Sequence, residues 1–449
     1  MAKQVKAEKV EKTEKAEGFD LGKFSKNRTY IKDVFSGSKK QVELAGWVSN
    51  SRALGKIKFI MLRDISGTVQ ITGVASMISP EIFEMMDKIP RESAIYIRGV
   101  VQDAKQAPGG KEIIPDMIHV FAKAEDPVID VSDYSKTELP KRLDYRFLDL
   151  HRTKIQAIFK VQSTILQAYH EFMTREDATE CIFPSVISSS SEGGTELFEA
   201  KYFEKKAFLS QSCQLYKQML ACSMEKIFAV FTVWRAEKHN TIRHLNEARQ
   251  FDFEMAFADE FVVMDIMARC VQYIVKKVMD VNKEELKELG VTLKVPAVKF
   301  LKFSEVAEVM KKNNIHMGKD DLSGEAEKKL DELYPETIVF VHDWPLSGKP
   351  FYIMPKGKDL SCGFDAIYKG MEITSGGQRI HLPELLIERL KAKGLNPKDF
   401  EHYIDSFRYG APPHAGWGIG LERLTMLILN LPNIREAVLF PRDRDRLTP

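Results

Sequence analysis

Residues 230–257 read VFTVWRAEKHNTIRHLNEARQFDFEMAF. The stretch opens on a β-branched and aromatic run that ends in Trp234-Arg235-Ala236-Glu237. A polar, basic loop follows, Lys238-His239-Asn240-Thr241-Ile242-Arg243-His244, and then a second β-like run, Phe251-Asp252-Phe253-Glu254-Met255. This pattern predicts a long hairpin. The strand period of two puts Arg235 with Glu237 on one face and Asp252 with Glu254 on one face. Phe251, Phe253 and Met255 take the other. Arg235, Arg243 and His244 near the loop suit a polyphosphate, because guanidinium forks pair with phosphate oxygens through two parallel bonds. Taken alone, the stretch fits an ordinary surface hairpin with ion pairs equally well.

Three further stretches carry chemistry. In 364–375, Lys369-Gly370 predicts a two-residue hairpin turn. Tyr368 then faces Met371, Ile367 faces Glu372, and Asp365 is the diagonal neighbour of Glu372. Diagonal positions lie ~7–8 Å apart, within reach of a shared cation. Hard carboxylate oxygens beside phosphates suit Mg²⁺. Simple alternation puts Ser375 on the opposite face, so it joins the pair only if Gly376-Gly377 bends the strand. In Gly416-Trp417-Gly418-Ile419-Gly420-Leu421-Glu422-Arg423, glycines are expected to open a helix with Arg423 in its first turns, a setting that favours phosphate. In 188–195, four serines, Glu192 and two glycines have the composition of a lid. Downstream, Gln214 and Lys217 share one face of a helix start. There is no strand-led G-x-G-x-x-G and no G-x-x-x-x-G-K-[ST].

Outward from these stretches, 449 residues imply several domains. Lys and Arg total 66 against 64 Asp and Glu, which excludes a histone-like polycation but not a local nucleic-acid surface. A hydrophobic content of 44% is that of a globular chain. No window approaches the ~18 apolar residues of a membrane span, and the first residues hold Lys and Glu where a secretory signal needs apolar ones. Five cysteines without C-x-x-C spacing argue against a disulfide framework or a structural zinc site, so a cytoplasmic protein is expected.

Residues 1–23 interleave Lys and Glu and predict a solvated tail. Residues 24–125 contain five candidate strands, 42–48, 57–63, 68–74, 94–101 and 117–122, with a helix-like stretch at 80–88 after the third. That is the pattern of a small OB-type barrel, a common binder of single-stranded nucleic acid. Residues 126–145 read as a hinge. Residues 146–449 read as a mixed α/β domain with a long amphipathic helix at 155–173 and a Lys/Glu-rich helical insertion at about 281–345.

In this order the pieces resemble a class II aminoacyl-tRNA synthetase, similar to the archaeal and eukaryotic type of aspartyl-tRNA synthetase. The resemblance runs from about Arg28 to Pro449. It rests on Glu192-Gly193-Gly194-Thr195-Glu196-Leu197-Phe198, Gln214-Leu215-Tyr216-Lys217-Gln218, Arg235-Ala236-Glu237 with Arg243-His244-Leu245, Ser375-Gly376-Gly377-Gln378-Arg379, and Gly418 to Arg423. It implies an α+β fold, an OB-type barrel followed by an antiparallel sheet flanked by helices. It also implies ATP-dependent joining of L-aspartate to tRNA with Mg²⁺, in a homodimer whose interface includes Pro184.

By resemblance, the aspartate pocket draws on Glu192, Ser212, Gln214, Leu215, Tyr216, Lys217, Arg235, Asp252, Ser375 and Arg379. The ATP site draws on Arg235, Ala236, Glu237, Arg243, His244, Leu245, Glu372, Gly420, Leu421, Glu422 and Arg423. Asp365, Glu372 and Ser375 would serve Mg²⁺, Arg235 and Arg423 the reacting phosphates, and Arg52, Phe59 and Gln70 the anticodon. A lysine and an arginine around one side chain argue for a carboxylate substrate, since asparagine would leave both cations uncompensated. Rival readings are an asparagine-forming relative and an inactive RNA-binding paralogue. The chain departs from the family at Phe231-Thr232-Val233-Trp234, at Cys213, and at Ala248, where relatives place an aromatic over adenine. Ser49 stands where the family sorts enzymes that charge only the aspartate tRNA from those that also charge the asparagine tRNA.

Overall fold

The computed structural model describes residues 20–132, 134–188 and 197–449. They form two compact units, divided between Asp130 and Val131. The tail 1–19 and the lid stretch 189–196, with Glu192, lie outside the described residues.

The first unit is a closed five-stranded barrel. Its strands are β1 (Gln41–Leu54), β2 (Ile57–Asp64), β3 (Gly67–Val74), β4 (Ala94–Asp103) and β5 (Lys111–Ala122), in the order β1-β2-β3-β5-β4. Only the β3–β5 pair is parallel. Alternation decides the inside: Ile60, Leu62, Val69, Ile71, Ile95 and Ile97 fill the core. Helix α1 (Pro80–Met86) follows the third strand. Ser79 caps it, accepting from the Ile82 N–H at 3.3 Å, and Pro80 stands in its first turn. Upstream, a helix at Leu21–Asn27 begins inside the stretch expected as tail. The expected hinge contains a short helix, Leu139–Asp144.

The second unit is built on an eight-stranded sheet. The strands are β6 (Thr179–Glu180), β7 (Lys226–Trp234), β8 (Glu247–Ala256), β9 (Ala297–Lys302), β10 (Thr337–His342), β11 (Gly363–Tyr368), β12 (Met371–Gln378) and β13 (His414–Gly420). Their order is β9-β10-β11-β12-β13-β8-β7-β6. The six middle strands are antiparallel throughout, while β9–β10 and β7–β6 are parallel edge pairs. The sheet is therefore mixed, not purely antiparallel.

Helices α2 (Thr153–Arg175) and α3 (Glu260–Val281) cover one face. Tyr169 of α2 stacks on Phe251 with ring centres 4.0 Å apart, and its hydroxyl donates to the Asp252 carbonyl at 2.7 Å. Phe253, Trp417 and Ile419 join the same core. The opposite face of the middle strands is left for polar side chains.

The insertion at 281–345 is not all helix. Its Thr-Ile-Val-Phe-Val-His run is β10, buried along almost its whole length, and Ala297–Lys302 is an exposed edge strand bearing Lys299 and Lys302. Two helices, α4 (Phe303–Lys312) and α5 (Gly324–Leu333), lie between them. A continuous apolar run of four residues, Ile338 to Val341, lacks the period that separates buried strand from buried helix.

Candidate active site

Gly420 caps the helix Leu421–Ile428, whose first turn carries Arg423 as expected, but the glycines of 416–420 themselves form a strand. They lie in β13, on the face that looks away from the core, opposite the polar residues of β8: Asp252 pairs with Gly418 and Glu254 with Gly416. A Cβ on Gly418 would lie 1.9 Å from Gln250 Nε2, and one on Gly416 2.1 Å from Glu254 Oε2. Glycine at alternate positions makes room for buried acids, while Trp417 and Ile419 between them serve the core.

Those acids are paired. Lys217 lies on α6 (Gln214–Met224), and its Nζ is 2.9 Å from Asp252 Oδ1 and 3.4 Å from Glu254 Oε2. It also donates to the Trp417 carbonyl at 3.0 Å. Arg379 forks onto Glu254, Nε at 2.8 Å and Nη2 at 3.2 Å. All four residues are at most 2% exposed. Burial alone would raise the Glu254 carboxyl, but Arg379 and Lys217 outweigh it and hold its pKa below the ordinary value. This corrects the expectation of two uncompensated cations, because two acids already balance them. Polar atoms still buried without a partner include Asp252 Oδ2, an acceptor, and Gln214 Nε2, a donor.

A cavity of about 730 Å³ opens on this network. Its walls include Ser212, Gln214, Ser375 and Arg379 at one end, and Arg235, Glu237, Arg243, His244, Leu245, Gly420, Glu422 and Arg423 at the other. Lys217 and Asp252 sit behind the wall. Leu215 packs with the cluster of Phe351, Tyr403 and Phe407, Tyr216 with that of Phe183 and Phe231, and Leu421 in the main core. Ala236 is likewise absent from the lining. These four were expected at the substrates; their motif neighbours reach the cavity and they do not, because adjacent residues point to different sides. Ala248 lines the cavity.

The hairpin loop is anchored by residues outside any motif. Asn246 Nδ2 donates to the Arg235 and Glu237 carbonyls at 2.6 and 2.9 Å. Arg435 donates to Asn240 Oδ1 at 2.6 Å and to the Thr241 carbonyl at 3.0 Å. Burial, reinforced by Arg423, lowers the His244 pKa. Glu422 turns its carboxylate onto the Arg249 N–H, at 3.0 and 2.9 Å, and burial pushes its pKa up to about 7. It holds β8 in place as well as lining the cavity. Arg423 donates from Nη1 to the Glu372 carbonyl at 2.7 Å.

The turn at Lys369-Gly370 has φ of 49° and 71°, as a two-residue hairpin requires. Tyr368 pairs with Met371 and Ile367 with Glu372, but beyond them the register shifts: Ala366 pairs with Thr374 and Asp365 with Ser375. This bulge, placed before Ser375 and not at Gly376-Gly377, brings Ser375 to the acids' face. Ser375 Oγ then donates to Glu372 Oε1 at 3.1 Å. Burial, followed by the charge of Asp365, raises the Glu372 pKa from 4.5 to about 7. Asp365 Oδ2 takes Lys349 Nζ at 2.6 Å, while its Oδ1 is buried without a partner. No cluster of three or more metal-ligating side chains occurs among the described residues. Two carboxylates, one with an orphaned oxygen, and a hydroxyl fit Mg²⁺, an ion that keeps waters and shares phosphate oxygens.

On the barrel, Phe59 is half-buried and outside the core, with the Arg52 guanidinium 4.6 Å from its ring centre. Gln70 donates to Thr72 Oγ1 at 3.1 Å and to Glu112 Oε2 at 3.0 Å. Glu112, which no motif flagged, thus shares this face through the β3–β5 pairing. Ser49 sits at a bulge in β1 and donates to the Met61 carbonyl at 3.1 Å.

Comparison with known proteins places this geometry. Residues 138–444 match the family model for class II tRNA synthetases (D, K and N), and residues 42–121 that of the OB-fold nucleic acid binding domain. An aspartate–tRNA(Asp/Asn) ligase of Archaeoglobus fulgidus is 46% identical over 433 residues, covering 94% of this chain and 100% of the relative. An aspartate–tRNA(Asp) ligase of Pyrococcus horikoshii is 43% identical over 426 residues, covering 91% and 96%. The crystal structure of asparaginyl-tRNA synthetase from Pyrococcus horikoshii with asparaginyl-adenylate aligns with a TM-score of 0.89 at 32% identity, covering 94% of this chain and 99% of that one. With a closed OB barrel, a sheet whose glycine-lined strand makes room for paired acids, and a cavity walled by Arg235 and Arg423, this chain belongs to the class II tRNA synthetases of the aspartate, lysine and asparagine group.

Proposed function

We propose that this protein joins L-aspartate to tRNA(Asp) in two steps, through an aspartyl-adenylate formed from ATP. The observation that carries the reading is the neutral, fully buried set Lys217–Asp252–Glu254–Arg379 behind the cavity. An amino acid brings an ammonium, and the unpartnered Asp252 Oδ2 is its natural acceptor. Once Asp252 is shared with that ammonium, Lys217 keeps only Glu254 as a full counter-charge. A side-chain carboxylate restores the balance and an amide does not. The fold alone does not choose, since an asparaginyl enzyme has it too. In this reading Gln214 donates to the substrate, and Glu192 lies on the loop outside the described residues.

Arg235 holds the α-carboxylate against the α-phosphate, so the attack is a matter of placement and charge, with no general base required. Arg243, neutral His244 and Arg423 take the outer phosphates, and Glu237 the adenine end. Asp365, Glu372 and Ser375 would hold Mg²⁺, which supplies positive charge to the departing pyrophosphate. The terminal ribose hydroxyl of tRNA then attacks the adenylate carbonyl, the acyl–phosphate bond breaks, and AMP leaves as the aspartyl ester forms. A homodimer is part of the proposal. Ile182, 97% exposed beside Pro184, supports a covered edge there.

ATP–pyrophosphate exchange without tRNA tests the reading. Aspartate should drive exchange and asparagine should not; equal exchange with both, or none with aspartate, overturns it. Charging of tRNA(Asn) is a second reading, favoured by the Asp/Asn name of the Archaeoglobus fulgidus relative. Aspartylation of a tRNA(Asn) transcript within tenfold of tRNA(Asp) would establish it.

Two predictions follow from the geometry. Phe59→Ala should lower kcat/KM for tRNA charging by about 10- to 100-fold, from the ~1–3 kcal/mol of one base stack, with pyrophosphate exchange unchanged. A parallel fall in both would make Phe59 structural. Second, Glu372 near pH 7 predicts proton release when Mg²⁺ and ATP bind. Below pH 7 its carboxyl is protonated and must ionise to serve the cation, so titrations in buffers of different ionisation enthalpy should show release at pH 6 that fades by pH 8. The same raised pKa means that the folded state holds a proton between pH 4.5 and 7 that the unfolded chain has lost. This group's contribution to stability therefore falls as pH rises through that window.

A further inference from the structure

Two residues that line the phosphate end of the cavity, Arg243 and Glu372, are held from behind by an acid that no motif contains. Glu327 is on α5, 84 residues after Arg243, and its Oε2 accepts from Arg243 Nη1 at 3.4 Å. Its Oε1 accepts from the Glu372 N–H at 3.1 Å. The Glu327 side chain is only 13% exposed, so water screens this pair less than an exposed one. Glu372 is thereby gripped at both ends of its backbone, by Glu327 at the N–H and by Arg423 at the carbonyl.

A third acid beside Asp365 and Glu372 would by itself repel ATP. Its geometry gives it a use, because its charge faces Arg243 and its second oxygen ties the strand that carries Glu372. We propose that Glu327 is a positioning residue for ATP, acting through Arg243 and the Glu372 backbone so that the phosphates meet a preformed site. The inference rests on the ATP site proposed above. It also gives the strand-and-helix insertion a part in nucleotide binding.

The test uses the full-length protein and two substitutions. Glu327→Gln keeps a carbonyl oxygen for the Glu372 N–H but turns a donor toward Arg243. Glu327→Ala removes both contacts. In pyrophosphate exchange, E327Q should raise KM for ATP about tenfold while KM for aspartate and kcat at saturating ATP stay within about twofold. E327A should also lower kcat, because Glu372 is loosened. In an Arg243→Ala background, E327Q should change KM for ATP by less than about twofold, since the residue through which it acts is gone. Calorimetric binding of ATP without aspartate gives a second readout, with the same tenfold weakening expected in E327Q. If the wild type binds ATP and E327Q binds it equally well, or if the E327Q effect persists in full without Arg243, the inference is overturned while the proposed function stands. If the wild type binds no ATP, both fall. Glu327→Asp keeps the charge on a shorter arm and should fall between wild type and E327Q, which keeps the proposal falsifiable should E327Q misfold.

Discussion

Lys217→Leu is expected to abolish aspartate-dependent pyrophosphate exchange, with a fall of at least about 100-fold in kcat/KM. The substitution removes a cation in contact with Asp252, Glu254 and the Trp417 carbonyl, all in a region without water access. A charged hydrogen bond contributes ~1.5–3 kcal/mol, and each ~1.4 kcal/mol is tenfold, so losing the cation's contacts accounts for that fall. Aspartate should also lose its advantage over asparagine. The variant should be less stable by about 3–5 kcal/mol, because two buried carboxylates are left with only Arg379. Stability and activity can be separated. The double variant Lys217→Leu/Asp252→Asn removes one charge of each sign and should recover much of the melting temperature without recovering activation. Unchanged aspartate kinetics in the single variant would refute the pocket assignment.

Arg423→Ala should lower kcat for exchange by about 10³-fold, the scale of an arginine that stabilises a phosphoryl-transfer transition state. Arg423 is the third residue of α7 (Leu421–Ile428), whose start is fixed by the end of β13, and its Nη1 is tied to the Glu372 carbonyl. Its guanidinium is thus aimed before any ligand arrives, which is what makes the loss appear in kcat. KM for aspartate should change little, and tRNA affinity should be kept because the barrel is untouched. A variant with normal kcat and a raised KM for aspartate would place Arg423 on the amino acid instead.

The barrel was legible in the sequence because alternation of Val, Ile and Phe against polar residues is a local pattern, and each expected strand overlaps an observed one. The long helix expected at 155–173 is observed at Thr153–Arg175 for the same reason. The Lys369-Gly370 turn was legible because positive φ at both positions is a turn requirement. Other features were not. The bulge that turns Ser375 toward Glu372 arises from a register shift between β11 and β12, and alternation along one strand does not encode a shift between two. The 416–420 glycines have their reason on β8, in the space taken by Gln250 and Glu254. A reading confined to 416–423 finds the helix that starts after Gly420 but not the strand that precedes it.

Strand and helix periods and turn chemistry were enough to specify the five-stranded barrel, the long helix and the Lys369-Gly370 turn. All of these depend on neighbours within a few positions. The charge balance of the site does not. Arg379 meets Glu254 across 125 residues, Lys217 meets Asp252 across 35, and Arg243 meets Glu327 across 84. Only the packing of β8, β12, β13 and the insertion brings those partners within hydrogen-bond distance. Whether a buried cation awaits a substrate or is already neutralised depends on that packing, because at these separations an ion pair exists through contact and not through sequence spacing.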